Sequence, residues 1–288
     1  MFKRVAIIGL GLMGGSLGLA IKQKGLCRSV AGFARRAETR ELALELGIVD
    51  QVFERAPDAV QGADVVVFCT SVSSIPELLD TCREQLAPET VLTDVGSCKV
   101  EIVRRVEALF RRRPVPFVGG HPIAGSERQG IGAATAVLYQ NALVALTPTR
   151  RTAPEARAQV ERLWQGVGAK VQVMSPQVHD RLLAKTSHLP HLVAALLAAC
   201  VGRNQPERIG PFCGSGFFDT TRIAEGDPLL WRDIICANRS EVSDELRAFS
   251  KQVGHLLDIL KTDDPEMIER FLQISRERRR ALIPRNSG

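Results

Sequence analysis

The chain has 288 residues, 45% hydrophobic and 24% charged, which are ordinary proportions for a soluble globular enzyme with room for two domains and a sizeable core. Lys and Arg outnumber Asp and Glu by 38 to 32, a net charge of +6, and basic runs lie at Arg111-Arg112-Arg113, Arg150-Arg151 and from Arg276 to Arg280. The one Tyr and the scattered Phe do not interleave with those runs as stacking platforms, so nucleic acid is not an expected partner, and seven cysteines without a CxxC pair suggest neither a zinc site nor a disulfide framework.

The opening strand, Val5-Ala6-Ile7-Ile8, runs into Gly9-Leu10-Gly11-Leu12-Met13-Gly14, and Leu17, Ala20 and Ile21 follow at helical spacing. Strand, glycine-rich turn and helix in this order cradle a dinucleotide pyrophosphate, which sits at the helix N-terminus among free N–H groups. Gly9 is expected to allow the tight turn, Gly11 to admit the phosphate and Gly14 to let the helix close on the strand. A second strand at 29–33 ends in Ala34-Arg35-Arg36, where an NAD site carries Asp or Glu for the ribose hydroxyls. No carboxylate there repels a 2′-phosphate, and a guanidinium can grip one with two donors. NADP is therefore expected over NAD, with solvated loop charges as the plainer reading of the two arginines.

A helix is predicted at 39–46, a buried strand at 64–69, a helix at 75–86, a strand at 90–95, a helix at 99–110 and a short strand at 116–118. Further strands at 141–146 and 169–173 flank a helix at 154–167. Apolar runs separated by amphipathic helices predict an α/β, Rossmann-like, doubly wound parallel sheet. From about 175 strand-like alternation gives way to helical periodicity at 178–187, 190–201, 227–260 and 265–280. This predicts a dinucleotide-binding domain over 1–174 and an all-α domain over 175–288 for substrate binding and dimerisation. The run Val5 to Ile8 is too short for a membrane span, and the start lacks the regions of a secretion signal. No membrane partner and a cytoplasmic location are the expectations.

Ligands in such sheets bind beyond the carboxyl ends of the strands. Cys69-Thr70-Ser71-Val72 follows the strand at 64–69, and Thr70 and Ser71 are candidates to line the cofactor site. Asp94-Val95-Gly96-Ser97-Cys98-Lys99 follows the next strand. Ser97 is a candidate to orient a substrate hydroxyl or the nicotinamide, or a helix N-cap, while Asp94 and Lys99 read as residues that fix the turn. Gly119-Gly120-His121-Pro122 reads as a loop after the strand at 116–118. An imidazole titrating near neutrality makes His121 a candidate to accept a hydroxyl proton as hydride leaves its carbon. In the helical part, Ser187-His188-Leu189-Pro190-His191 puts two histidines around a proline that breaks or starts a helix. Substrate contact by His188 or helix capping by Ser187 is favoured over a metal site, because a site with His179 lacks further ligands. Arg222, amid apolar neighbours, is a candidate carboxylate grip, against a salt bridge to Asp219 or Glu225.

Together these segments resemble the prephenate/arogenate dehydrogenase family of tyrosine biosynthesis. The glycine turn is shared by many dehydrogenases. The specific likeness lies in Asp94-Val95-Gly96-Ser97-x-Lys99, Gly120-His121-Pro122-Ile123-Ala124-Gly125-Ser126-Glu127, Ser187-His188-Leu189-Pro190-His191 and Asp219-Thr220-Thr221-Arg222-Ile223-Ala224, which span nearly the whole chain. The resemblance implies that His121 is the catalytic base and that Ser97 assists at the ring hydroxyl. It also implies that Arg222 holds a substrate carboxylate and that Ser126 and His188 belong to the same pocket. The reaction implied is oxidation and decarboxylation of a cyclohexadienyl acid by NAD(P), in a homodimer. The absence of an acidic residue at the end of the second strand departs from many members, and the length leaves no room for a chorismate mutase or regulatory domain, so a minimal enzyme is expected. A β-hydroxyacid or imine reductase using Lys185, and a non-catalytic NADP sensor, are the alternatives.

Overall fold

A computed structural model describes residues 1–125 and 128–283. Its α/β part runs β1 (Phe2–Ile8), α1 (Leu12–Gln23), β2 (Cys27–Phe33), α2 (Ala37–Glu45), β3 (Gln51–Phe53), α3 (Ala56–Ala59), β4 (Val65–Phe68), α4 (Ser74–Cys82), β5 (Val91–Asp94), α5 (Val100–Leu109), β6 (Phe117–Ile123), β7 (Leu143–Thr147), α6 (Pro154–Gly166) and β8 (Lys170–Val173). Helices follow: α7 (Pro176–Leu183), α8 (Leu189–Val201), α9 (Pro206–Ile209), α10 (Ser215–Thr221), α11 (Pro228–Ala237), α12 (Arg239–Lys261) and α13 (Pro265–Ala281). Among the described residues the eight strands form one sheet in the order β3-β2-β1-β4-β5-β6-β7-β8. The order reverses direction between β1 and β4, the switch point where Rossmann-like sheets open a crevice.

Alternation along the central strands sorts side chains onto two buried faces. Val5, Ile7, Val65 and Val67 pack with Leu17 and Ile21 of α1. Ala6, Ile8, Val66 and Phe68 pack on the opposite face with Ile75 and Leu79 of α4 and Ile102 of α5. All four residues of β4 are buried, as expected for a strand covered on both sides.

Two features of the sheet differ from the sequence expectation. The strand expected at 116–118 continues to Ile123, so His121 lies within β6 rather than in a loop. Gly119, Gly120 and Pro122 look like breakers, but each has a reason to be there. A Cβ on Gly119 would meet Thr147 Oγ1 at 2.4 Å, and one on Gly120 would meet the Asp94 carbonyl oxygen at 2.7 Å. These glycines permit close approach inside the sheet. Pairing with β5 stops at Val118, so Pro122 occurs where β6 has β7 alone as neighbour. The second difference is direction: β7 runs antiparallel to β6, whereas the other pairs are parallel. Their connection holds a short 3-10 turn, Ile131–Ala133, among the described residues and no crossover helix.

The helical stretches also divide differently from the periodicity. The segments expected at 178–187 and 190–201 form one continuous helix, Pro176–Val201, widened into a π turn at Ala184–His188. Pro190 has no N–H and its ring crowds the carbonyl one turn back, and the wider turn just before it accommodates both. By length and composition alone this helix could cross a membrane, its most apolar 18-residue stretch having a mean hydropathy of 1.3. The stretch expected at 227–260 breaks at Asn238, whose φ of −119° and ψ of 30° leave the helical region. The chain forms two compact units, Met1–Val242 and the residues from Ser243 onward, so α7 to α11 belong to the unit that holds the sheet. The second unit exposes Phe249, Val253, Leu257 and Leu260, an apolar stripe at helical spacing.

The glycine turn supports a direct test. Gly9 has φ +106°, and a Cβ on Gly14 would lie 1.9 Å from the Gly9 carbonyl oxygen, whereas one on Gly11 would meet nothing within 4 Å. Gly14→Ala is expected to cost about 1–3 kcal/mol through overpacking, lowering the Tm by several degrees, while Gly11→Ala leaves it in place. Differential scanning calorimetry decides; an equal fall for both would contradict this packing.

Candidate active site

The crevice between the carboxyl ends of β1 and β4 has a volume of about 590 Å³ and is lined by Gly9, Leu10, Gly11, Ala34, Arg35, Arg36, Thr70 and Ser71. Leu12, Met13 and Gly14 form the first turn of α1 behind that lining. No side chain caps α1 and its first turn carries no acidic residue, so its N–H groups face the crevice uncommitted, beside the open space at Gly11. This arrangement fits the pyrophosphate of a dinucleotide. Arg35 and Arg36 are exposed at the rim. Arg40 props the loop beneath them, donating from Nη1 to the carbonyls of Ala34 (3.1 Å) and Arg35 (2.9 Å) and pairing through Nη2 with Glu54 at 2.5 Å. The lining also includes Thr39, Ser74, Glu77 and Thr81, which the sequence did not single out because they lie on helix faces with no motif of their own.

Two strands along the same edge, His121 stands on β6, only 9% exposed. Its backbone is fixed from β5. Asp94 accepts the Gly120 N–H at Oδ1 (3.0 Å) and the Gly96 N–H at Oδ2 (2.8 Å). Lys99, fully buried, pairs with the same Oδ2 and donates to the Gly120 carbonyl at 2.8 Å. Asp94 and Lys99 therefore do fix a turn, as expected, and they also hold the residue before His121 from both of its polar groups.

The ring is fixed from the helices. His121 Nδ1 lies 2.9 Å from His179 Nε2, and His179 Nδ1 lies 2.7 Å from Asp180 Oδ1. Asp180 accepts the Lys99 N–H (2.7 Å) and the Val100 N–H (2.9 Å), capping α5. That is the cap which the plainer reading of Ser97 would supply; Ser97 instead sits half-buried in the loop before the helix. A local cap was displaced by a carboxylate from 81 positions away in sequence. Asn238 Nδ2 donates to the Asp180 carbonyl at 2.8 Å and approaches His188 Nδ1 at 3.2 Å. His188 lies buried in the π turn with its Nε2 unpartnered, and His191 stacks on Trp231 with ring centroids 3.5 Å apart. Arg222 occupies an exposed 3-10 turn, Arg222–Glu225, that packs against α8. Ser126 and Glu127 lie outside the described residues.

Burial is the main force on these imidazoles. It holds His121 well below the usual histidine value, helped by the nearby His179, Lys99 and His188. Burial likewise lowers His179 against the opposing pull of Asp180, lowers His188 to about 4, and lowers His191. A neutral His121 can accept a proton at the nitrogen that His179 leaves available.

Residues 17–173 match the family described as "Prephenate dehydrogenase, nucleotide-binding domain", and residues 175–274 match "Prephenate dehydrogenase, dimerization domain". Prephenate dehydrogenase of Bacillus subtilis (strain 168) is 32% identical over 287 residues, covering 99% of this chain and 77% of its own. The crystal structure of prephenate dehydrogenase from A. aeolicus in complex with hydroxyphenyl propionate and NAD+ superposes with a TM-score of 0.90 at 33% identity, over 98% of this chain and 99% of that one. Synechocystis arogenate dehydrogenase gives a TM-score of 0.83 at 30% identity, over 96% and 99% of the two chains. The chain belongs to the prephenate dehydrogenase family.

Four of the five histidines form the buried cluster, and this makes stability depend on pH. Each has a folded-state pKa below 6.5, so the unfolded chain binds more protons under mild acid. Their contribution is complete above 6.5 and is lost as pH falls toward about 4, the folded value of His188. The urea midpoint should drop steadily through that window, and a flat midpoint would refute the neutral cluster.

Proposed function

We propose that this chain oxidatively decarboxylates prephenate, arogenate or both, with NADP as the favoured acceptor, yielding 4-hydroxyphenylpyruvate or tyrosine. The observation that carries this reading is a neutral, buried imidazole on the strand edge two strands from a dinucleotide crevice. Prephenate carries a ring hydroxyl at C4, a ring carboxylate and a pyruvyl carboxylate. His121 Nε2 takes the hydroxyl proton, and Ser97 orients that hydroxyl. Arg222 grips a carboxylate with its forked donors, with Ser126 and His188 in the same pocket. A bound nicotinamide supplies the hydride acceptor. Loss of CO₂ then leaves an aromatic ring, which makes the conversion irreversible.

Gly9 to Gly14 hold the pyrophosphate, Thr70 and Ser71 line the nicotinamide side, and Ala34, Arg35 and Arg36 receive the adenosine ribose. The two exposed guanidiniums and the missing strand-end carboxylate favour a 2′-phosphate. The functional boundary falls at 174–175, between the two matched family segments. A homodimer covers the apolar stripe Phe249, Val253, Leu257 and Leu260 and the exposed Leu196 and Leu197 of α8, in keeping with the family description of the second segment. The reductase alternative needs Lys185 as its acid, but Lys185 is exposed on the π turn while His188 on the same turn is buried.

The deciding assay incubates purified protein with each of the two substrates and each of NAD and NADP, following reduced-nicotinamide absorbance. Turnover is expected with NADP, and none with any combination would favour the sensor reading. His121→Asn should cut kcat by at least about 10²–10⁴-fold while cofactor still binds in a fluorescence titration; unchanged turnover would end the proposed mechanism.

Arg35→Asp should shift the ratio of kcat/KM for NADP over NAD toward NAD by tenfold or more, about 1.4 kcal/mol. An unaltered ratio would mean that the 2′-phosphate is read elsewhere.

A further inference from the structure

We infer that His179 and Asp180 are positioning residues for His121: through two hydrogen bonds in series they fix its tautomer and offset the charge it acquires. The inference rests on His121 being the base proposed above. It depends on the donor and acceptor logic of three side chains in line.

Asp180 lies at the end of the series, 1% exposed, with both oxygens engaged by the N–H groups that open α5. An ionised carboxylate accepts and cannot donate, so His179 Nδ1 must carry the proton across the 2.7 Å contact. A neutral imidazole protonated on Nδ1 has its lone pair on Nε2. The 2.9 Å contact to His121 then requires Nδ1–H on His121, which leaves His121 Nε2 as an acceptor. One carboxylate thus dictates the hydrogen placement of two rings. The reverse polarity would need a doubly protonated His179 in a site with no exposed surface, and burial opposes that charge.

The same line balances charge. The groups facing the two rings are Asp94 from β5, Lys99 from the start of α5, Asp180 from α7 and His188 from the π turn. Asp94 is matched by Lys99, which leaves Asp180 as the unmatched negative charge while the rings are neutral. When His121 Nε2 takes a proton from a hydroxyl oxygen, the O–H bond breaks, the new N–H bond forms and the positive ring sits one imidazole away from Asp180. That carboxylate is already ordered by α5 and by the Asn238 bond to its own carbonyl, so no rearrangement is needed as charge develops. Nothing in the local sequence announces this role. His179-Asp180 looks like an ordinary polar pair on a helix, and its partner is 58 positions away.

The test uses the full chain in three variants, Asp180→Asn, His179→Leu and His179→Gln. In Asp180→Asn, the proton on His121 loses its counter-charge. We expect kcat to fall about 10- to 100-fold, KM for cofactor to hold within about twofold, and the acidic limb of the kcat/KM profile to move to lower pH. The glutamine amide can accept from His121 and donate to Asp180, so His179→Gln should retain at least about tenfold more kcat than His179→Leu. An unmoved acidic limb in Asp180→Asn, or equal losses in Gln and Leu, would overturn the inference. Nitrogen NMR of the unsubstituted chain labelled with ¹⁵N-histidine gives a readout that needs no variant to fold. His121 should show a protonated Nδ1 and a bare Nε2, and the opposite tautomer would overturn the inference. If His121→Asn itself keeps turnover, the proposed function fails first; if it loses turnover while the acidic limb stays put in Asp180→Asn, only the positioning role fails.

Discussion

The ion pair between Asp94 and Lys99 is the constraint on which the rest of the site depends. Both side chains have no exposure, so neither can be left alone. Removing one partner of a buried pair typically costs about 3–5 kcal/mol, a large share of the roughly 5–15 kcal/mol that keeps a domain folded. Such a pair is a poor source of net stability, because two ions must be stripped of water to form it. Its value here is geometric. It ties the end of β5 to the start of α5, encloses the loop that carries Ser97, and clasps Gly120 by both N–H and carbonyl, one residue before His121.

From that clasp, connections spread to the helices. The loops after β4 and β5, and β6 itself, are each tied into α7 or α11. Ser73 donates to Asp233 at 2.6 Å, Cys98 Sγ approaches the Ile234 carbonyl at 3.4 Å, Asp180 caps α5, and His121 meets His179. These ties explain why α7 to α11 form one compact unit with the sheet although sequence character changes near 175. They also place the candidate chemistry at a seam between strand ends and helices, where polar groups can be both buried and satisfied.

How much of this was legible in the sequence depends on how local each signal is. The glycine turn, the strand ends at Thr70 and Asp94 and the helical character after 175 are written in neighbouring residues, and the Rossmann-like sheet followed from them. His121 was legible as a residue type but not as a conformation. Gly119, Gly120 and Pro122 ordinarily terminate strands, and the close approach to Asp94 and Thr147 that calls for the glycines is a tertiary fact. The antiparallel turn into β7 was missed because apolar runs do not encode direction. The cap that the plainer reading gave Ser97 comes from Asp180, and His179 reads in the sequence only as a metal ligand, because a contact spanning dozens of positions leaves no trace in spacing. The π turn before Pro190 was hidden for a related reason, since a proline in a helical pattern normally predicts a break.

The central claim is that a neutral imidazole on β6, fixed by buried carboxylates on two sides, faces the atom from which a proton must leave. The most direct measurement is a crystal structure of this chain with NADP and a non-reacting cyclohexadienyl or hydroxyphenyl acid bound together. His121 Nε2 should lie about 2.6–3.2 Å from the ring hydroxyl, with that ring beside the nicotinamide. A ligand seated with its hydroxyl on another side chain, and His121 turned toward protein alone, would contradict it.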